Sequence, residues 1–461
     1  MTKSLDVVIL AAGLGTRMKS ATVKVLHRAA GRPLVDYVLD LASQVSTRTP
    51  VVVVGHQREA VQGSIGERAR FAFQEQQLGT GHAVLQAAPY MDPAGRVLIL
   101  SGDVPLTRPE TLKRLIEEHE RAKNAATLLV MKLDRPAMYG RVVRDETGGV
   151  LRIVEAKDAS AEELRIDEVN AGIYVFESDA LLDNLGKLST NNAQGEYYLT
   201  DLLAALHGAG RRVGAVLVDD SVEALGVNSR AELATVEGEI QRRVVERLMS
   251  EGVTFRNPAT VVIDSTVAIG ADSVVYPFVT LEGTTRIGRD CVIEPGVHLL
   301  NCTIGDGVHL KTGTVAENAI VEAEAAVGPY AHLRPGTQLG KHVKIGNFVE
   351  TKKAIFGEGA KASHLSYIGD AEVGKDVNIG AGTITCNYDG VNKHTTVMED
   401  GAFIGSDSQL VAPVRIGKGA YVGAGSTITK DVPPGALAIS RSPQRIIEGW
   451  AAEKRGGKSS D

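Results

Sequence analysis

The sequence predicts two unlike halves: an α/β domain with a mainly parallel sheet over residues 1–230, then a parallel β-helix of hexapeptide repeats over 252–461. A helix over 231–251 joins them. Three observations carry this reading. Short aliphatic runs alternate with helical stretches up to about residue 230. From Ile269 onward an aliphatic residue returns at every sixth position. Between the two, Ser229-Arg230-Ala231-Glu232 makes a capping box ahead of Leu233, Val236, Ile240, Val244 and Leu248, which follow one another at helical spacing.

In the first half the strand candidates are Val7–Leu10, Val51–Val54, Val97–Leu100, Ala126–Lys132 and Gly172–Phe176. Helix-like segments such as Leu34–Gln44 and Glu110–Lys123 lie between them. Strands that alternate with helices build a parallel sheet, whose ligands sit at the carboxyl ends of the strands. Gly252 is the predicted stop of the joining helix. In the second half the sixfold series runs Ile269, Val275, Leu281, Ile287, Ile293, Leu299, slips by one at Ile304 and resumes at Leu310. It recurs at Val321, Val327, Leu333, Leu339 and Ile345, at Val373 and Ile379, and from Ile404 through Leu410, Ile416, Val422 and Ile428. Neither a 3.6-residue helix nor a two-residue strand alternation produces that period. Three hexapeptides make one triangular coil, and stacked coils bury an aliphatic column. The register is lost between Asn347 and Ile368, where projecting loops are expected. The tail after Trp450, through Lys454, Arg455 and on to Ser460, is polar and expected to be disordered.

Composition narrows the function. Aromatics are 4% of the chain and the net charge is −6, so nothing resembles a nucleic-acid footprint. No apolar run reaches the length of a membrane span, and Asp6 interrupts the apolar opening. Cys291, Cys302 and Cys386 form no CxxC and cannot all pair, which suits a reduced, cytoplasmic setting.

The strand Val7–Leu10 runs into Ala11-Ala12-Gly13-Leu14-Gly15-Thr16-Arg17-Met18, with Lys24 close behind. Small residues let backbone N–H groups approach an anion, and Arg17 and Lys24 add two cations. Met18 replaces the third Gly of a dinucleotide fingerprint and no Gly-Lys-Ser/Thr follows, so neither a dinucleotide nor a Walker loop fits. Taken alone, Asp103 after a strand and Asn228 before a helix equally suit helix caps. In the second half Glu350, Lys352, His364 and Tyr367 gather where the register is lost. Histidine has the ordinary pKa of a base that works near neutrality. Lys352 with Lys353 equally suits a solvated pair, and a lone His is commonly a surface residue.

The ordered set becomes specific when read together. Leu10-Ala11-Ala12-Gly13, Gln74 through Gly79-Thr80-Gly81-His82, Ser101-Gly102-Asp103, Tyr139-Gly140-Arg141, Glu155-Ala156-Lys157, Asn170-Ala171-Gly172 and Gly226-Val227-Asn228 stand in one order ahead of the hexapeptides. With Ser363-His364-Leu365-Ser366-Tyr367 and Asn387-Tyr388, they resemble the bifunctional N-acetylglucosamine-1-phosphate uridylyltransferase/glucosamine-1-phosphate N-acetyltransferase family from about residue 5 to 450. The resemblance implies a Rossmann-like nucleotidyltransferase domain and a left-handed β-helix. It implies that Arg17 and Lys24 stabilise the phosphates of UTP and that Asp103 and Asn228 hold Mg²⁺. Leu10, Ala11, Ala12, Gly13, Ser101 and Gly102 would line the nucleotide, Gln74, Gly79 and Thr80 read uracil and ribose, and Gly140, Glu155 and Asn170 hold N-acetylglucosamine 1-phosphate.

For the second reaction the resemblance implies His364 as base, with Glu350 orienting it. Arg334, Lys352 and Tyr367 would hold the phosphate of glucosamine 1-phosphate, and Asn378 the sugar. The sugar and acetyl-CoA would share Asn387, with Tyr388 beside it. Ala381, Ser406, Ala424 and Arg441 would line acetyl-CoA. Family β-helices of this type form homotrimers with acetyl-transfer sites between subunits. Val23 stands where the family commonly has Pro, and Thr351 where it commonly has Met. Two alternatives remain at this point: a nucleotidyltransferase whose β-helix only regulates or assembles, and a scaffold with both sites inactive.

Overall fold

The computed structural model describes residues 3–13 and 15–456. Leu14 of the predicted phosphate loop and residues 457–460 of the predicted disordered tail lie outside the described residues. The chain divides into two compact units, Met1–Arg243 and Val244–Asp461.

The first unit is built from β1 (Leu5–Ala11), α1 (Leu34–Val45), β2 (Val51–Val54), α2 (Arg58–Ile65), β3 (Arg70–Phe73), α3 (Thr80–Ala87) and β4 (Arg96–Ser101). It continues with α4 (Pro109–Arg121), β5 (Ala126–Lys132), β6 (Arg141–Arg144), β7 (Val150–Val154), β8 (Glu168–Glu177), α5 (Ser178–Leu185), α6 (Asp201–Gly208) and β9 (Val213–Leu217). The main sheet runs β9-β5-β8-β4-β1-β2-β3, with β6 and β7 a hairpin hung from β8. β1 lies parallel to β2 and to β4. β8 is the exception in this path, antiparallel to both β4 and β5.

Alternation along β1 fills two cores. Val7 and Ile9 pack on one face with Val35 and Val38 of α1 and Leu112 and Leu115 of α4. Val8 points the other way, into Val84 of α3, Leu181 of α5 and Leu202 of α6. Helices on both faces explain why the central strands read as continuous aliphatic runs. From β1 the chain moves outward to β2 and β3, then recrosses to β4 on the other side of β1. That reversal opens a crevice above the carboxyl ends of β1 and β4.

Helix α7 spans Arg230–Ser250, and the division between the units falls inside it. At its start the Glu232 carboxylate accepts from Asn228 N–H at 2.8 Å and from the Ser229 hydroxyl at 2.9 Å.

The second unit is a stack of short parallel strands, that of a left-handed hexapeptide β-helix. Each strand pairs with the one a full coil later: Val262 with Thr280, Ala268 with Arg286, Val274 with Val292. Every aliphatic residue of the sixfold series is buried, from Ile269 and Val275 to Val422 and Ile428. The coil corners need left-handed backbone, supplied by glycines such as Gly296 and Gly313 but also by Phe278, Tyr330, Phe348 and Leu365.

Two expectations are corrected here. The stack does not break between Asn347 and Ile368: Thr351, Phe356 and Ala362 take the inward places and are buried. A hydroxyl, an aromatic ring and a methyl replaced the branched aliphatics, so the period continued where an aliphatic pattern could not reveal it. The true excursion comes later, between strands Ile384–Cys386 and Thr396–Met398. The tail is also not wholly irregular, because Trp450–Gly456 form a short helix, α8.

Two candidate active sites

In the first unit a cavity of about 470 Å³ opens above the ends of β1 and β4. Leu10, Ala11, Ala12 and Gly13 come from the first strand and its loop, Ser101 and Asp103 from the fourth. Arg17, Lys24, Gln74, Gly79, Thr80 and Asn228 line it as well. Gly15 is left-handed, and a Cβ there would stand 2.9 Å from the Lys24 Cβ, so glycine lets the loop close over the lysine stem. The Lys24 ammonium forms an ion pair with Asp103 Oδ2 and donates to Asn228 Oδ1 at 3.1 Å. Both partners of the pair are only 16% exposed at their side chains. Arg17 is exposed and pairs with no carboxylate among the described residues.

The base end of the cavity is tightly determined. Gln74 is buried and its Nε2 donates to the Gly79 carbonyl at 3.0 Å. Gly79 has φ 107°, and a Cβ there would lie 2.6 Å from the Tyr197 carbonyl oxygen. The Thr80 hydroxyl accepts from Leu199 N–H at 3.1 Å.

Gly140, Glu155 and Asn170 come together beside this cavity rather than in its lining. Asn170 N–H donates to the Gly140 carbonyl at 2.9 Å. A Cβ on Gly140 would stand 3.3 Å from the Glu155 carboxylate. At a register shift in β8 between Asn170 and Tyr174 the Asn170 side chain donates to Tyr174 Oη at 2.6 Å and accepts from Gly172 N–H at 3.0 Å. Ser101 links the two groups by donating to the Gly172 carbonyl at 3.1 Å, while Gly102 N–H donates to Leu10 O at 2.9 Å. Burial pushes the Glu155 carboxyl above the usual range, against a hydrogen bond from Thr200.

Among the described residues no three His, Cys, Asp or Glu gather for a metal ion. Asp103 Oδ2 and Asn228 Oδ1 nevertheless converge on one ammonium. Two such oxygens suit a hard divalent ion whose other ligands are phosphate and water.

In the second unit the predicted residues flank one corner of the coil. Asn347 and His364 are register partners on one side, Glu350 and Tyr367 on the other, with Phe348 and Leu365 at the turn. His364 Nδ1 lies 2.8 Å from Asn347 Oδ1. An amide oxygen only accepts, so in the neutral ring the proton sits on Nδ1 and the lone pair on Nε2. Glu350 does not engage His364: its carboxylate accepts from Arg334 at 2.7 Å. The facing Lys393 ammonium pushes Lys352 below the ordinary lysine range.

Ala381, Ser406 and Ala424 continue the column that begins with Asn347 and His364. The corner residue after each donates to it from the next coil: Asp407 N–H to Ala381 O at 2.7 Å and Gly425 N–H to Ser406 O at 2.8 Å. The Arg441 guanidinium closes the column on the Ala424 carbonyl. Asn378 lies on the same face, three residues before Ala381. Asn387 and Tyr388 are not in this column. Asn387 donates to Asp370 at 2.5 Å and Tyr388 bridges to Lys393 in the excursion.

Sequence reasoning missed Gln77 and Glu196 of the first cavity and Asn347 and Lys393 of the second site. Asn347 stands one coil before His364, a spacing that could have found it. Glu196 comes from a loop with no local signal.

A nucleotidyl transferase family model matches residues 6–224, and a bacterial transferase hexapeptide model matches 395–430. A GMPPB C-terminal domain model matches 258–347. The protein named bifunctional protein GlmU of Pelobacter propionicus is 52% identical over 97% of this chain and 98% of its own. The chain belongs to the GlmU family. Its GlmU relative in Syntrophotalea carbinolica is 55% identical over 97% of this chain and 96% of its own. The GlmU of Clostridioides difficile is 48% identical, with 97% of both chains covered. The likeness to GlmU therefore spans both units.

Proposed function

We propose that the chain catalyses two consecutive transfers: acetyl from acetyl-CoA to glucosamine 1-phosphate in the second unit, then uridylyl from UTP to the resulting N-acetylglucosamine 1-phosphate in the first. The product, UDP-N-acetylglucosamine, feeds peptidoglycan and lipopolysaccharide synthesis in the cytoplasm. The reading rests on the union, in one GlmU-family chain, of a loop-lined cavity around Lys24, Asp103 and Asn228 with the corner that carries His364.

In the acetyl transfer, His364 Nε2 takes a proton from the sugar ammonium, and the amine attacks the thioester carbon. As the C–S bond breaks, the nitrogen gives up its second proton and the sulfur takes one, so CoA leaves as its thiol and the product is the amide. Asn347 keeps the lone pair on the correct ring nitrogen. Arg334, Lys352 and Tyr367 hold the sugar phosphate, and Glu350 fixes the Arg334 guanidinium. Asn378 holds the sugar. Ala381, Ser406, Ala424 and Arg441 line the thioester chain, and Asn387 and Tyr388 meet it from the excursion.

In the uridylyl transfer, a phosphate oxygen of the sugar attacks the α-phosphorus of UTP, and the bond to the β-phosphate breaks. Positioning and charge neutralisation carry most of such catalysis. Arg17, Lys24 and the N–H groups of the Gly13 loop face the phosphates. Asp103 and Asn228 would hold Mg²⁺, which when bound neutralises phosphate charge. Gln74, Gly79 and Thr80 face base and ribose, while Gly140, Glu155 and Asn170 hold the N-acetyl sugar.

The working form is a homotrimer. Tyr330, Phe348 and Leu365 are respectively 55%, 58% and 61% exposed along the corner that carries His364, and the first two rings stack at 5.7 Å. Bulky left-handed residues left bare on an edge are costly unless covered, and a second copy would cover them beside the site.

The test is a substrate panel with the purified chain. Pyrophosphate release from UTP with N-acetylglucosamine 1-phosphate and thiol release from acetyl-CoA with glucosamine 1-phosphate are both expected. Absence of either in Mg²⁺ buffer contradicts the two-reaction reading.

A further inference from the structure

Gln74 spends both hydrogens of its amide nitrogen inside the protein. Nε2 donates to the Gly79 carbonyl at 3.0 Å and lies 3.1 Å from His82 Nδ1. Both contacts are hydrogen bonds only if Nδ1 carries no proton. Oε1 then remains for the ligand, and among the described residues no side chain or backbone group donates to it. Gln74 is 3% exposed and lines the nucleotide cavity, so that oxygen acts in a nearly water-free place.

We propose that His82 is a positioning residue that sets which pyrimidine the first site accepts. The inference rests on the reading that Gln74 faces the base of UTP. An amide oxygen accepts from the N3–H of uracil and opposes the N3 lone pair of cytosine. Turning the amide over would offer N–H to cytosine, but it would set Oε1 against the Gly79 carbonyl and leave His82 Nδ1 without a donor.

The imidazole is itself held. It lies 6.3 Å from the Tyr197 ring, centroid to centroid. Its Nε2 stands 3.1 Å from Gln86 Nε2, one turn on along α3, and that same amide nitrogen donates to the His82 carbonyl at 3.4 Å. With Nδ1 bare, Nε2 carries the proton, and Gln86 receives it only with its amide turned over, which gives up the bond from Gln86 Nε2 to the His82 carbonyl. Gly79 cannot yield either, because Tyr197 backbone occupies the space a side chain would need.

The experiment compares kcat and KM for UTP and CTP in His82→Phe, His82→Leu, His82→Asn and Gln74→Leu, with thermal unfolding as the check on folding. Phe and Leu remove the acceptor, while Asn returns an oxygen near the Nδ1 position. In His82→Phe and His82→Leu the UTP-to-CTP ratio of kcat/KM should fall about tenfold, the worth of one neutral hydrogen bond, through KM for UTP rather than kcat. His82→Asn should keep the native ratio. A native ratio in His82→Phe and His82→Leu, or a ratio in His82→Asn as relaxed as theirs, overturns the proposal. A native ratio in Gln74→Leu removes the base-reading role beneath it, whereas a relaxed Gln74→Leu beside a native His82→Phe confines the failure to His82.

Discussion

The two sites are assembled in opposite ways. Lys24, Asp103 and Asn228 meet because a sheet reverses its winding and brings distant loops over one crevice. Asn347, His364, Ala381, Ser406 and Ala424 meet because a solenoid repeats, so neighbours in space are one coil apart in sequence. The first arrangement encloses its charges, with the Lys24–Asp103 pair 16% exposed on each side. Within a single chain the second leaves them open: the side chains of Arg334 and Glu350 are 38% and 41% exposed. Wherever a second copy leaves that corner open to water, screening should make the same kind of charge deletion costly in the first unit and mild in the second.

The largest expected effect follows from that contrast. Lys24→Ala should lower kcat for pyrophosphate release on the order of 10²- to 10³-fold, as for other groups that meet transition-state charge in an enclosed site. Arg334→Ala should raise KM for glucosamine 1-phosphate by roughly tenfold, the worth of one charge-assisted bond in partial solvent. Comparable losses in the two variants would remove the distinction.

Next comes backbone. Gly79→Ala forces a Cβ against Tyr197 at a positive φ, and should destabilise the first unit by about 1–3 kcal/mol. Denaturant melts followed in that unit should show it, while the β-helix transition stays in place. A smaller effect is expected at Glu155. Burial raises its folded pKa, so its contribution to stability is full below the ordinary carboxyl pKa and is lost as pH rises through the raised value. Glu155→Gln should therefore unfold no earlier than the native chain at pH 8, yet lose about tenfold in kcat/KM for N-acetylglucosamine 1-phosphate.

The smallest effect is a displacement along the pH axis. Lys352 loses its charge at lower pH than an ordinary lysine because Lys393 faces it. KM for glucosamine 1-phosphate should rise as pH passes upward through that lowered value. Lys393→Met should move the rise to higher pH, and an unmoved limb would detach Lys352 from it.

The same contrast explains how much of the fold the sequence reveals. The β-helix was legible because each inward place demands an aliphatic residue, and the phosphate loop because only small residues let backbone approach an anion. Where Thr351, Phe356 and Ala362 fill inward places the period went unseen, since shape rather than aliphatic character satisfies those coils. The joint placement of Asp103 and Asn228 was legible only through the ordered motif set, because each also suits a helix cap. Glu350 was expected to orient His364, but a guanidinium one coil below competes for the carboxylate and an amide one coil below holds the ring. Glu196 reaches the first cavity from a long loop, where no periodicity marks what tertiary packing will choose.

The central claim is that each unit owns a complete half of the chemistry at its own charged centre. Thiol and pyrophosphate release, measured separately in His364→Ala and Asp103→Ala, tests it most directly. The account predicts reciprocal loss: His364→Ala abolishes thiol release and keeps pyrophosphate release near native, and Asp103→Ala does the reverse. Joint loss of both activities in either variant, or survival of both, would contradict it.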